Sequence, residues 1–191
     1  MASTILVDKI DPQSGTALEI GTSGDTITVP SGATFNVAGT LQSGGAAVVN
    51  TPAFLLESTG NTSISDNTWT KLTFAVETLD TDSACTDSKF TVPSGEGGVY
   101  QINFAFNMGG ATDGNGNYIQ YKLHKNGVEQ TNFGVNLNTS DNSLEEASLG
   151  YSSLISLSAS DYIEVYGRFD TASGSITTAQ GTFSGMKIIG A

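Results

Sequence analysis

Hydrophobic positions along this chain fall into two regimes. Between residues 18 and 37 they come as short alternating triplets, Leu18-Glu19-Ile20, Ile27-Thr28-Val29 and Phe35-Asn36-Val37, parted by Gly, Ser, Thr and one proline. Each alternates as a strand does, yet none is long enough to bury much surface alone. From Phe54 onward the runs lengthen and aromatics enter. Strands are predicted near 53–57, 69–76, 87–92, 98–106, 118–124, 128–136, 148–157, 161–169 and 179–189. Tyr100, Ile102, Phe104 and Phe106 share one face, with Gln101, Asn103 and Ala105 on the other. Ile119, Tyr121 and Leu123 oppose Gln120 and Lys122, and Ile163, Val165 and Phe169 oppose Glu164 and Arg168. Such one-sided strands belong to a sandwich. The Gly/Ala-rich stretch QSGGAAVVNTP (42–52) reads as a linker. The pattern therefore predicts an all-β chain: a short β stem over 1–50 and a β-sandwich over 51–191.

Composition agrees. Only 14% of the residues are charged, Gly numbers 23, and no stretch has the period of an amphipathic helix. A net charge of −12 with seven Lys and Arg argues against nucleic acid, whose phosphates need basic partners. Cys85 is the single cysteine, so no intrachain disulfide is expected. The start, MASTILVDKI, lacks the basic and apolar regions of a signal peptide. No run reaches the roughly 20 apolar residues of a membrane span. Synthesis and folding in a cytoplasm, without membrane insertion, are expected.

Several motifs carry a resemblance. GTFSGMKII (181–189) resembles the closing strand of complement-type globular heads, which share the jelly-roll fold of tumour necrosis factor. KFTVPSGEGGVYQINFAF (89–106) is similar to their central motif through Phe90, Pro93, Gly98 and Tyr100, with a longer Pro-to-Gly spacing. YKLHKNGVEQ (121–130) resembles the family's hairpin, with Asn126-Gly127 at the turn. LISLSASDYIEVYG (154–167) is similar to its penultimate hairpin. The likeness spans about 54–189 and implies a jelly roll; such folds host many roles. The leader STILVDKIDPQSGTALEIGTSGDTITVPSGAT (3–34) resembles leaders of structural proteins of tailed bacteriophages. Complement-type heads are trimers, so the resemblance implies a homotrimer. In it Leu18, Ile20, Ile27, Val29, Phe35 and Val37 would close a threefold stem core. It also implies a virion component, assembled in a bacterial cytoplasm and joined to other virion proteins through its N-terminal segment.

Catalytic chemistry finds little support. His124 is the one histidine, on an alternating strand, and reads as a strand-end residue rather than a triad member. No phosphate-binding Gly-rich loop or Cys/His cluster is present. DGNGN (113–117) mimics a calcium loop, but Tyr118 stands where the required glycine belongs. Glu77, Asp80, Asp82 and Asp87 crowd the stretch ETLDTDSACTD. Calcium shared at a trimer axis is the one cofactor they suggest, against the plainer reading of a solvated acidic loop. Cys85 lies there as a free thiol or an interchain contact. The sequons at Asn61 and Asn138 have no meaning in a bacterial cytoplasm.

Counting strand directions upward from residue 54 puts the short links 93–97, 125–127 and 158–160 at the base. It puts 77–86, 107–117, 137–147 and 170–178 at the tip. Long loops on a rigid scaffold are where binding residues gather. Asp80, Asp82, Asp113, Asn115, Asn117, Asn138, Asp141, Asn142, Asp170 and Ser173 are the candidate contacts with a host-surface glycan or lipopolysaccharide. The expected function is a non-enzymatic trimeric fibre or spike knob of a tailed phage that attaches to its host. A capsid decoration protein is the alternative, and a cellular complement-like adhesion module a more distant one.

Overall fold

The structure, a computed structural model, describes residues 10, 14–15, 18, 20–43, 46–48, 50–59, 62–109, 116–138, 146–171 and 175–188. The chain divides into two compact units, Met1–Ala47 and Val48–Ala191.

In the first unit the described chain is turn after turn. Asp25 N donates to Thr22 O at 3.0 Å, and the Asp25 carboxylate accepts Thr22 N at 2.7 Å. A second turn closes from Ala33 N to Pro30 O at 3.0 Å. Gly24 and Gly32 sit at φ 94° and 84° in these turns, where a side chain would be strained. Among its described residues one ladder forms, pairing β1 (Gln42–Ser43) with β2 (Ala46–Ala47). The strands expected at 27–29 and 35–37 do not form as ladders. A strand needs a neighbour for its backbone groups, and among the described residues none pairs with these triplets.

The second unit runs through β3 (Ala53–Ser58), β4 (Thr62–Ser65), β5 (Thr70–Lys71), β6 (Val76–Asp80), β7 (Cys85–Thr86), β8 (Lys89–Thr91), β9 (Gly98–Gly109), β10 (Gly116–Lys125), β11 (Val128–Asn138), β12 (Ala147–Leu157), β13 (Tyr162–Thr171) and β14 (Ser175–Lys187). A front sheet has the order β11-β10-β13-β8-β7, with β5 also on β13. A back sheet has the order β12-β9-β14-β3-β6, with β4 also on β14. Pairing within both is antiparallel. The inward residues expected on 98–106, 118–124 and 161–169 are all at or below 3% exposure, and with Phe54, Leu72, Phe90 and Phe183 they form one core. Phe54 stacks on Phe90 at 4.4 Å and meets Phe183 edge-on at 5.0 Å. The glycines of the closing motif explain themselves here. Phe183 points inward between Gly181 and Gly185, and a Cβ at Gly181 would come within 2.0 Å of the Phe106 ring. No helix is long and apolar enough to cross a membrane among the described residues.

Register fixes the two ends of the sandwich. Gly98 pairs with Leu157, Lys187 with Tyr100 and Ala53 with Met186, so these lie at a near end. Met108 pairs with Ala147 and Gly116 with Thr171 at the far end. Among the described strands the chain passes between sheets at the far end four times, after β4, β9, β11 and β13. The β10–β11 hairpin turns at the near end on Asn126 (φ 52°) and Gly127 (φ 77°), the left-handed pair such a turn requires.

Candidate functional site

The acidic loop lies at the opposite end from the one expected. Antiparallel pairing of Phe54 with Asp80 and Glu57 with Val76 carries β6 toward the near end, and Thr81 N donates to Ala53 O at 3.1 Å. The predicted strand 69–76 is in fact split. β5 joins the front sheet and β6 the back sheet, and β4 precedes both, so the direction count slips. Asp80 serves as a turn cap: its carboxylate accepts Asp82 N at 3.3 Å, Ala84 N at 2.9 Å and Cys85 N at 2.8 Å. Asp82 accepts the Thr81 hydroxyl at 2.6 Å, and Asp87 pairs with Lys71 at 3.1 Å. Glu77 stands opposite Leu56 on β6. The four acids are thus dispersed, and no group of three His, Cys, Asp or Glu is placed to hold a metal among the described residues. Cys85 is buried, and burial pushes its thiol up to about 12, with Asp80 and Glu77 adding to the effect. Such a thiol is neither exposed nor ionised at neutral pH, which removes the interchain reading.

At the far end, three expected contact residues do converge. Asn117 Nδ2 donates to Asp170 Oδ1 at 2.8 Å, and Tyr118 pairs across strands with both Asn138 and Asp170. Asp80 and Asp82 do not join them. Asp113, Asn115, Asp141, Asn142 and Ser173 lie outside the described residues.

The outward face of the front sheet carries a cluster that sequence reasoning missed. Asn67 sits in a turn at φ 54°, fixed by its N donating to Phe169 O at 2.6 Å. Its Oδ1 accepts the Tyr118 hydroxyl at 2.7 Å and Arg168 Nε at 2.8 Å. The Arg168 guanidinium lies 5.8 Å from the Trp69 ring centroid and 5.6 Å from that of Tyr118. Trp69 meets His124 edge-on at 6.3 Å, and His124 stacks on Tyr166 at 3.9 Å. His124 is half-buried and its Nε2 has no hydrogen-bond partner. Burial lowers its pKa, with Glu129 pulling the other way, so the ring is neutral at pH 7. Its neighbours are aromatic rings rather than a nucleophile. On the rim Lys71 bridges Glu164 at 2.8 Å and Asp87, while Lys122 pairs with Glu129 at 3.4 Å. Trp69, the one tryptophan, stands in a polar stretch, SDNTWTK, which was the only sequence signal for this cluster.

The outward face of the back sheet differs. Leu154 and Met186 flank Gln101 there, 56% and 40% exposed, and Leu79 (46%) stands beside Leu55. Toward the far end the same face hollows into a groove of about 540 Å³ lined by Glu57, Asn107, Ser148, Gly150, Gln180 and Thr182.

Among solved structures, the tumour-necrosis-factor protein Eiger of S. frugiperda matches with a TM-score of 0.54 at 13% identity, covering 73% of this chain and 93% of its own. The second unit is a jelly roll of the tumour-necrosis-factor type. The vertex protein P5 of PRD1 matches with a TM-score of 0.52 at 21% identity, covering 73% of this chain and 99% of its own. The globular domain of a zebrafish complement 1qA protein covers 72% of this chain and 97% of its own at 15% identity, with a TM-score of 0.49; the fold assignment rests on the other two. No model of a known protein family matches the chain, and no curated protein does.

Proposed function

We propose that this chain is a non-enzymatic virion protein, the trimeric fibre or spike knob of a tailed phage, whose head contacts the host surface. One observation carries the reading. Leu18, Ile20, Ile27, Val29, Phe35 and Val37 are 46%, 62%, 64%, 44%, 69% and 38% exposed in the single chain. A run of regularly spaced apolar side chains left open to water is a surface awaiting a partner. The spacing suits copies of itself, each lending the neighbour that the triplets lack, and the outward apolar residues of the back sheet give the heads a face on which to meet. The leader's likeness to phage structural proteins names the setting, and a PRD1 vertex protein built on the same fold shows that a virion protein can use it. The far end, with Asn117, Asn138 and Asp170, is the face offered to a host glycan or lipopolysaccharide. The same exposed leader also fits a capsid decoration protein docked on a head lattice.

Two measurements test this. Light scattering on the full chain at micromolar concentration gives a trimer mass; a stable monomer refutes the reading. Exchanging loops 107–117 and 137–147 for short Gly/Ser turns leaves particles assembled but unable to adsorb. Intact adsorption, with capsid stability lost on trimming the leader, selects the decoration protein instead.

A further inference from the structure

We propose that the outward strip of Tyr118, Asn67, Arg168, Trp69, His124 and Tyr166 is a polysaccharide-binding platform. The proposal deepens the host-contact reading by naming a face and a ligand class.

Outward positions of a sandwich are ordinarily polar, as Asn103, Ser152 and Ser184 are on the back sheet, where the exceptions Leu79, Leu154 and Met186 are aliphatic. The front sheet breaks that habit. The chain's one tryptophan and one histidine gather there with two of its six tyrosines, supplied by the 67–69 turn, β10 and β13. A flat ring offers an apolar plane that matches the C–H face of a pyranose. Its neighbours must then satisfy the hydroxyls around the sugar's edge. Arg168 offers its remaining N–H donors, Asn67 offers its Nδ2 amide while its Oδ1 is occupied by Tyr118 and Arg168, and the Lys71–Glu164 pair supplies carboxylate acceptors on the rim.

The strip is also held in place before any ligand arrives. Asn67 fixes the Tyr118 hydroxyl and the Arg168 guanidinium together, and the His124 ring is clamped on Tyr166. Binding then costs little rotamer freedom. Rigid Trp, Tyr and Arg side chains are the ones that usually anchor a recognition surface. From Tyr118 to His124 the strip runs six residues along β10, roughly 20 Å at strand rise. That length suits a chain of sugars rather than a monosaccharide. It begins beside Asn117 and Asp170, so it continues the far-end surface down one side of the head.

Charge argues against simple ion exchange. Lys71 is paired with Glu164 and Asp87, and Lys122 with Glu129, so Arg168, bonded to the neutral Asn67 carboxamide, is the one cation among the strip's six residues. Binding should therefore depend little on ionic strength. A protein partner is less well served, because Leu79, Leu154 and Met186 lie on the other sheet and the exposed aliphatic on this one, Val128, stands at the β10–β11 turn beyond the strip.

The test uses the full chain and an array of delipidated bacterial surface polysaccharides, with dextran as the neutral reference. Trp69 is the only tryptophan, so its fluorescence reports directly on this face. The expected result is saturable binding to one or more array members, a shift in Trp69 emission, and little change with salt. Tyr166→Ser and Arg168→Gln, each confirmed folded by its circular dichroism, should weaken binding about tenfold, as loss of a recognition anchor does. Three outcomes overturn the proposal: no array member binds, binding leaves the emission unchanged, or both variants bind as the parent does. A protein cross-linked across Trp69 in place of a glycan also overturns it. Host adsorption separates this proposal from the one it rests on. If the two variants adsorb normally while the loop exchange abolishes adsorption, the strip fails and the fibre reading stands. If the parent itself does not adsorb, the fibre reading fails.

Discussion

Gly185→Ala adds one methyl group to the closing strand, and its effect can be worked out from the atoms around it. The new Cβ would lie 2.6 Å from Ile102 Cδ1, 2.7 Å from Phe54 Cε1 and 3.0 Å from the Gln101 carbonyl oxygen. Carbon atoms pack at about 3.5–4.0 Å, so two contacts overlap by about 1 Å. The end of the Ile102 side chain can turn aside, but the other two neighbours do not yield easily. The oxygen belongs to β9, which is hydrogen-bonded between β12 and β14. Phe54 is fixed by its stack on Phe90 and its edge contact with Phe183. Overpacking of this kind costs about 1–3 kcal/mol, and the rigid surroundings place Gly185→Ala in the upper half of that range. For a domain of this size each kcal/mol moves the midpoint by about 2–4 °C, so calorimetry should show a fall of about 5–10 °C. Gly150→Ala is the control. It faces outward on β12, its Cβ would meet Ala105 Cβ at an ordinary 3.5 Å, and a strand prefers alanine to glycine. It should melt within a degree or two of the parent, near the ±0.5 kcal/mol of ordinary surface changes. If Gly185→Ala melts with Gly150→Ala, the packing of Phe183 between two glycines does not explain the Gly-Thr-Phe-Ser-Gly motif.

Charging the stem tests association: Ile27→Asp or Phe35→Asp would place a carboxylate from each copy in a closed apolar core, and sedimentation should show the assembly weakened while the isolated head 52–191 keeps its far-ultraviolet spectrum. Asp161 gives an acid limb to stability. Lys125, then Asn126 and the Ser158 amide, lower its pKa from 3.8 to about 2. The ionised form is thus favoured in the fold, and its contribution is present above pH 4 and lost as pH falls through about 2. Asp161→Asn should flatten that part of the pH–stability curve, as read by thermal melts. Cys85, buried and held as a thiol, should resist iodoacetamide at neutral pH until the head is unfolded; rapid labelling of the native protein would contradict its placement.

The sandwich was legible because alternation at Tyr100–Phe106, Ile119–Leu123 and Ile163–Phe169 is long enough to fix which face is buried. The hairpin at Asn126-Gly127 was legible because only left-handed residues fit it. What failed was the stretch between Ser58 and Lys89. There β4, β5, β6 and β7 are two to five residues long and rich in Ser and Thr, so their pattern does not show which sheet each joins. Reading 69–76 as one strand moved the acidic loop to the wrong end. It also hid the 67–69 turn, which brings Asn67 and Trp69 over β13. Outward residues such as Gln120 and Arg168 could be assigned from their own strands. That Arg168 lies between two aromatic rings depends on a long-range contact that no local pattern encodes.

The stem was illegible for a different reason. Its triplets carry a strand's alternation, yet the chain that bears them forms no ladder there. Sequence records which side chains want burial, and a single chain shows only that the want is unmet. The two faces of the head divide in a matching way. Apart from Val128 at the β10–β11 turn, the head's exposed aliphatics mark the back sheet, where a second copy can exclude water from Leu79, Leu154 and Met186. The aromatic strip occupies the front sheet, on the opposite side of the core. If copies meet through their back sheets, every strip is turned outward and none is covered. Under the proposed virion role, one particle would then show a cell surface many identical platforms at a fixed spacing, and a sugar contact too weak to hold alone would become durable through effective concentration.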